Sequence, residues 1–243
     1  MTMSVTQVRK ERERAVREDL ILEQGRRLLV RDGFQDFNLD ELAKAIEYSK
    51  GTIYLHFDTK EDLALAVATR ALRERADLFE RAAKFSGRTR ERIRGVGFAC
   101  CQFAVAHRDY FSIEMMLKSQ SFWERTSEKR RRLHGVQAGR MFHTTNNIVL
   151  EALRAGDLPS DTRAQDVTLS LIAITMGSHI VAMQPDLQML CAIEDPICVV
   201  RRNQDLVCDG WNWKPLLKDW DYAATDRRIK SEVFPEATWF KPS

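Results

Sequence analysis

The sequence predicts an all-α protein, and three observations carry that prediction. Apolar residues recur at helical spacing over long stretches, β-branched alternation is nearly absent, and helix breakers are sparse, with 11 Gly and 6 Pro in 243 residues. With 44% apolar and 30% charged residues the chain can bury a sizeable core, and its length suits two domains. The expected boundary lies between an N-terminal unit, 1–62, that opens with a flexible arm over 1–11, and a larger helical unit, 63–243, that ends in an aromatic-rich extension.

The first helix is expected over 12–32, where Leu20, Ile21, Gln24/Gly25, Leu28 and Leu29 give the 3.6-residue period. Gly33 closes it as a glycine just past the last turn, and Phe34 and Phe37 bracket the turn that follows. Asn38 suits a second N-cap, with Glu41 three residues on completing a capping box. Ser49 caps a third helix. Thr59 and Asp62 repeat the capping pattern before a fourth, which runs through Leu63, Val67 and Leu72 towards Phe79. Gly87 marks a joint. Periodicity then predicts helices over 89–106, 110–118 and 122–155, and Gly156-Asp157-Leu158-Pro159 breaks the chain. Further helices fit 161–183, ended by Pro185, then 196–209, opened by Pro196, and about 223–233.

Charge alone argues for no partner. The net charge is +3, and residues 1–60 hold 11 Lys/Arg against 11 Asp/Glu, so a nucleic-acid argument must rest on placement. No apolar run approaches the roughly 20 residues of a membrane span, and no N-terminal stretch resembles a signal peptide. Five cysteines without paired spacing suit a reducing compartment. The expectation is a soluble, cytoplasmic protein with no membrane partner.

Enzyme signatures are missing from the sequence. Gly95-Val96-Gly97 lacks a third glycine and a preceding strand, and no P-loop, Ser-His-Asp order or paired metal-ligand motif is visible. Cys100-Cys101, and Cys191, Cys198 and Cys208 with His179, have no ligand spacing and read as small apolar side chains. No catalytic residue, cofactor or metal is expected.

Residues 38–63 carry the functional signal. They read as two short helices joined by a tight turn, the second too polar and too short to be core. Ala43 is small enough to sit where the two cross, and Leu39, Leu42, Ile46, Ile53 and Phe57 supply a shared core. Lys50, Thr52, Tyr54 and His56 then face outward, the types that reach phosphates and base edges. Lys50 and the amides of Gly51 and Thr52 suit a phosphate, and Gly51 permits close approach because it has no side chain. That is a helix-turn-helix, and it points to DNA.

Ser49-Lys50-Gly51-Thr52-Ile53-Tyr54-Leu55-His56-Phe57, followed by Thr59-Lys60-Glu61-Asp62-Leu63, resembles the tetracycline-repressor (TetR) family of one-component regulators. Ile21-Leu22, Leu28-Leu29, Gly33-Phe34 and Leu42-Ala43 extend the resemblance over about 15–70. It implies that Lys50, Tyr54, His56 and Lys60 touch DNA and that Thr52 and Leu55 lie where base contacts are made. With Asn38, Tyr48, Ser49 and Gly51 these make up the candidate DNA-binding set. The chain departs from the family in the turn, where Glu47-Tyr48 replaces a common Gly-Val. A left-handed residue other than Gly costs about 1 kcal/mol there.

The same resemblance implies a C-terminal helical domain that dimerises and binds a small effector. Val167, Leu171, Ile174, Ser178 and Val181 form a stripe on 161–183, and Ile197, Val200 and Gln204 lie on the following long helix. Two such helices from each chain would make a four-helix homodimer interface. Phe98, Cys101, Phe103, Phe111, Met115, Met116, Trp123, Phe142, Met176, His179 and Met183 form an aromatic and Met-rich set suited to an apolar or amphipathic effector. The expected function is a ligand-responsive regulator, a repressor that binds a palindromic operator in double-stranded DNA as a dimer. An effector-independent DNA-binding dimer and a helical enzyme remain the alternatives.

Overall fold

The computed structural model describes residues 4–117 and 119–240, the side chains of Val5 and Met115 excepted, and these residues contain helices and no strand. In chain order the helices are α1 (Val5–Asp36), α2 (Leu39–Ala45), α3 (Lys50–Tyr54), α4 (Lys60–Ala83), α5 (Thr89–Ala106) and α6 (Arg108–Met116). There follow α7 (Gln120–Arg125), α8 (Glu128–Ala155), α9 (Ala164–Ala182), α10 (Pro185–Leu190), α11 (Pro196–Gly210) and α12 (Tyr222–Glu232). Packing divides the chain into two compact units: Met1–Arg73 with His107–Gln137, and Glu74–Ala106 with Ala138–Ser243. The first unit thus extends past the expected 1–62, because α6 and α7 return to pack on α1 and because α4 and α8 each contribute to both units.

In the first unit, α1 starts earlier than the periodicity suggests. Ser4 caps it: the Ser4 hydroxyl accepts from the Gln7 amide at 3.2 Å, and the Gln7 side chain accepts from the Ser4 amide at 3.0 Å. The expected flexible arm is therefore helical from Val5 onward, while residues 1–3 lie outside the described residues. Ile21, Leu28 and Leu29 are buried, whereas Leu20 is 45% exposed, so α1 offers a narrower core face than the sequence suggested. Regular helix breaks at Gly33, where φ is +74°, as the glycine signal indicated. At Gly25 a Cβ would come within 2.6 Å of Leu63, so α1 and α4 pack closely at that point.

The ends of α2 and α4 are capped, with one change. Asn38 accepts from the Asp40 amide at 2.8 Å, while Glu41 leaves the expected capping box to pair with Arg31 at 2.5 Å. Thr59 accepts from the Asp62 amide at 3.0 Å. The helix expected over 122–155 divides at Thr126, whose extended backbone (ψ 144°) separates α7 from α8. Phe34 and Phe122 meet edge to face at 5.2 Å, and Arg26 bonds Asp109 and lies 5.7 Å over Tyr110.

The second unit is built around α5, with α9 and α11 packed on each other. Pro185 does not simply end α9; it opens α10 as its first residue, a position where the missing N–H is harmless. The aromatic extension folds onto its own unit. Trp213, Phe234 and Ala237 are fully buried in the core with Ile93, Val96 and Phe98 of α5. The Trp213 indole donates to Thr89 at 3.0 Å, and Arg90 donates to the carbonyls of Trp213 and Pro215 at 2.6 and 2.9 Å. Below them Arg94 grips Asp226 through two bonds of 2.7 and 2.8 Å, and Arg201 reaches the same carboxylate.

Candidate nucleic-acid interface

Leu39, Leu42 and Ala43 of α2 and Ile53 of α3 are buried, with Phe57 just beyond, so the two short helices share one small core. The turn between them is closed by the Ile46 and Glu47 amides, which donate to Leu42 O and Lys44 O, and by the Tyr48 amide, which donates to Ala43 O at 2.9 Å. Glu47 takes the left-handed conformation, φ +57°, where the expected strain falls. Ser49 then caps α3, its hydroxyl accepting from the Thr52 amide at 3.1 Å and meeting the Thr52 hydroxyl at 2.8 Å.

The outward side of α3 presents Lys50, Gly51, Tyr54 and Leu55, flanked by Asn38 and Ser49. Leu55 is 79% exposed, an apolar side chain with nothing of its own domain to cover it and the right chemistry for a thymine methyl. Lys50 bonds Asp40 at 2.9 Å, and that hydrogen bond raises its pKa above the ordinary lysine range; its ammonium also lies 5.9 Å from the Tyr54 ring centroid. Tyr48 and Thr52 are half-buried. The Thr52 amide is already taken by Ser49, so the amides at this end without a bond among the described residues are those of Lys50 and Gly51.

Two of the expected DNA-facing side chains turn inward. His56 keeps only 5% of its side chain exposed, packs at 6.3 Å on Phe57, and holds Nδ1 3.6 Å from Glu18. It lies past the last turn of α3, where the chain is already returning to the core. Lys60 points back at the end of α1, donating to the carbonyls of Phe34, Gln35 and Phe37 at 3.2, 3.0 and 3.4 Å and lying 4.9 Å over the Phe34 ring. Those carbonyls have no continuing helix to satisfy them, and a lysine at a helix C-terminus does so. Lys60→Met is therefore expected to lower stability by about 1–2 kcal/mol in urea denaturation and to leave the salt dependence of DNA binding unchanged. A fall of about 0.9 in the slope of log K against log salt would restore a phosphate role.

The expected effector set does not converge within one unit. Phe111 and Trp123 belong to the first unit with Met115, whose side chain lies outside the described residues; Phe98, Cys101, Phe103, Phe142, Met176 and His179 belong to the second. Phe98 is committed to core, with Phe234, Trp239 and Phe240 at 5.4, 4.6 and 5.4 Å. Phe103 lies beneath Arg75 at 5.3 Å. Burial, with the Arg75 charge adding to it, pushes His179 down to about 4, so its ring is neutral at pH 7. Aromatic and Met content marks burial, not concavity, which is why it misplaced Phe98. A cleft of about 590 Å3 in the first unit is lined by Phe34, Lys60, Glu61, Met116, Phe122 and Arg125 among others, of which Met116 alone belongs to that set.

The dimer stripe is corrected more sharply. Val167, Leu171, Ser178 and Val200 are buried within the chain itself, and Ile174, Ile197 and Gln204 are partly covered. Asn203 donates to Ser178 and Gln204 to Thr175, both at 2.9 Å, so this is where α9 and α11 meet each other. Of the expected residues only Val181, 48% exposed, faces out, alongside Leu169, Ala173 and Ile180 of α9 and Leu206 of α11. The helix α9 is apolar nearly all round, so its sequence holds no phase that tells one side from the other. Among the described residues no group of three His, Cys, Asp or Glu side chains is placed to hold a metal ion, and no helix is long and apolar enough to cross a membrane.

Crossed short helices, a capped second helix with an open outer side and a small buried core define a helix-turn-helix protein of the DNA-binding class. Residues 21–67 match the bacterial regulatory proteins of the tetR family, and this segment is that family's DNA-binding domain. Over about four-fifths of its length the chain has the fold of solved tetR-type regulators. It resembles PfmR of Thermus thermophilus (19% identity, TM-score 0.60, 77% of this chain and 96% of that one). A regulator of Saccharomonospora viridis solved with choline is similar (20%, 0.61, 80% and 96%), as is FadR of Bacillus subtilis solved with stearoyl-CoA (14%, 0.62, 79% and 97%). No curated protein matches the chain.

Proposed function

We propose that this protein is a ligand-responsive transcriptional repressor that binds a palindromic operator as a homodimer in the cytoplasm and is released by a small apolar or amphipathic effector. The observation that carries the reading is the outer side of α3, where Lys50, Gly51, Tyr54 and Leu55 stand clear of the domain's own core. Lys50 and Tyr54 would meet phosphates and set register, and Thr52 and Leu55 would reach base edges. The exposed apolar side of α9 and α11 supports pairing with a second copy through Leu169, Ala173, Ile180 and Leu206. Similar folds solved with choline and with stearoyl-CoA support an effector. Cys101, Phe103, Phe142, Met176 and His179 remain its candidate lining. An effector acts only as far as its affinity differs between the DNA-competent form and the other.

Selection from a random duplex pool, followed by stoichiometry on the winning sequence, tests the reading. The expected result is a palindrome with half-sites about 34–36 Å apart bound by two protomers, and release of that duplex by hits from a thermal-shift screen of small amphiphiles. Enrichment of no sequence, or one protomer per site, overturns it.

A further inference from the structure

The N-terminal half of α1 is unexplained by the fold. Every described side chain from Gln7 to Arg17 is exposed, including Val8 at 52% and Val16 at 63%. Packing begins at Glu18, with Ile21 the first fully buried residue. Some 13 residues, about 20 Å of helix at 1.5 Å per residue, therefore extend past the edge of the domain. A free helix of that length is marginal in water, and here it is held by its Ser4 cap, the Arg9–Glu13 pair at 2.9 Å and its continuity with the rest of α1.

Charge and position agree on what this segment meets. Residues 5–17 hold five Lys/Arg (Arg9, Lys10, Arg12, Arg14, Arg17) against Glu11 and Glu13. Lys10, Arg14 and Arg17 fall at spacings of four and three, and the same row continues to the buried Ile21 and Leu28. The face that packs on the core within the domain thus continues beyond it as a basic stripe. The segment leaves the domain beside the reading helix: Glu18 lies 3.6 Å from His56, just past the end of α3, and Arg130 joins Glu18 at 3.1 Å to the His56 carbonyl at 3.0 Å.

We propose that residues 5–17 are a rigid phosphate-binding arm, with Lys10, Arg14 and Arg17 contacting the DNA backbone outside the stretch that α3 reads. The inference rests on the DNA-binding reading of α3 and adds to its footprint. A duplex carries one charge per about 1.7 Å of axis, so an arm of this length passes enough phosphates to engage all three cations. Such contacts carry no sequence information; they raise affinity and fix orientation.

Because backbone contacts are indifferent to sequence, the full-length protein can be tested on a random-sequence duplex of about 40 base pairs over about 50–200 mM salt. In the triple variant Lys10→Gln, Arg14→Gln, Arg17→Gln, the slope of log K against log salt is expected to shrink by about 2–3 per bound protomer, with affinity at least tenfold weaker near 100 mM. Helical content and melting temperature should not change, since none of the three packs on the core. Arg12→Gln, on the opposite side of the helix, is the control for charge alone and should shift the slope by less than a third as much. An unchanged slope in the triple variant overturns the arm, as does an equal effect per charge at Arg12. Should the wild-type protein bind no duplex at all, the regulator reading fails first, and that result is distinct from wild-type binding with an indifferent arm.

Discussion

Asp226→Ala is expected to destabilise the protein by about 3–5 kcal/mol, a large part of the 5–15 kcal/mol that holds a typical domain. The carboxylate is 5% exposed and serves two guanidinium groups, Arg94 through a two-bonded fork and Arg201. Burial works against the charge on Arg94, but the Asp226 hydrogen bonds and charge outweigh it, so the group stays ionised above its ordinary range. Removing Asp226 leaves Arg94 with Asp205 alone and leaves Arg201 facing the Phe98 and Phe240 rings. Because breaking a buried pair strands a desolvated charge, the effect far exceeds that of a surface pair such as Arg9–Glu13, where Glu13→Ala should cost at most about 0.5 kcal/mol. Urea denaturation monitored by the buried Trp213 gives the comparison. A loss below about 1 kcal/mol for Asp226→Ala would mean that α12 is not anchored to α5 through this carboxylate.

Gly51→Val should weaken DNA binding about ten- to a hundredfold without unfolding the protein. A Cβ at Gly51 would meet nothing nearer than the Ser49 hydroxyl at 3.8 Å, so the domain itself does not require glycine there. Glycine in a helix is normally a liability of about 0.5–1 kcal/mol against alanine. On the proposed function, its presence in α3 lets a duplex come close to the backbone amides of Lys50 and Gly51. Each charge-assisted bond to a phosphate lost there is worth about 1.5–3 kcal/mol. The pair Gly51→Ala and Gly51→Val separates stability from contact: alanine should hold or raise the melting temperature while affinity falls with side-chain size. Full affinity in Gly51→Val would show that the start of α3 stands off from the duplex.

The helices and most of their ends were legible because their determinants are local. Ser49 and Thr59 cap where their spacing to Thr52 and Asp62 indicates, Gly33 breaks α1, and the core of α2 and α3 closes on Ala43 as a small residue at a crossing allows. The reading helix was legible for the same reason, since its polarity and its cap lie within nine residues. Local signals failed where two of them competed. Asn38 and Glu41 satisfy a capping box on paper, yet Arg31, ten residues before Glu41, outcompetes the N-cap amide for that carboxylate. Residues 1–11 read as a flexible arm in the sequence, yet Ser4 with Gln7 is itself a helix start.

By itself, then, the order of residues set the class of fold, the positions of turns and caps, and the presence of a short polar helix meant for a partner. Contacts between distant segments decided the rest: that Lys60 closes the end of α1, that His56 turns to Glu18, that Val167 and Val200 are buried between α9 and α11, and that the aromatic tail closes over α5. The reason is physical. A cap or a period is written within a turn or two of the residues it governs, whereas which side of an evenly apolar helix such as α9 is covered depends on partners on other helices, Asn203 and Gln204 of α11 among them, that its own sequence does not encode.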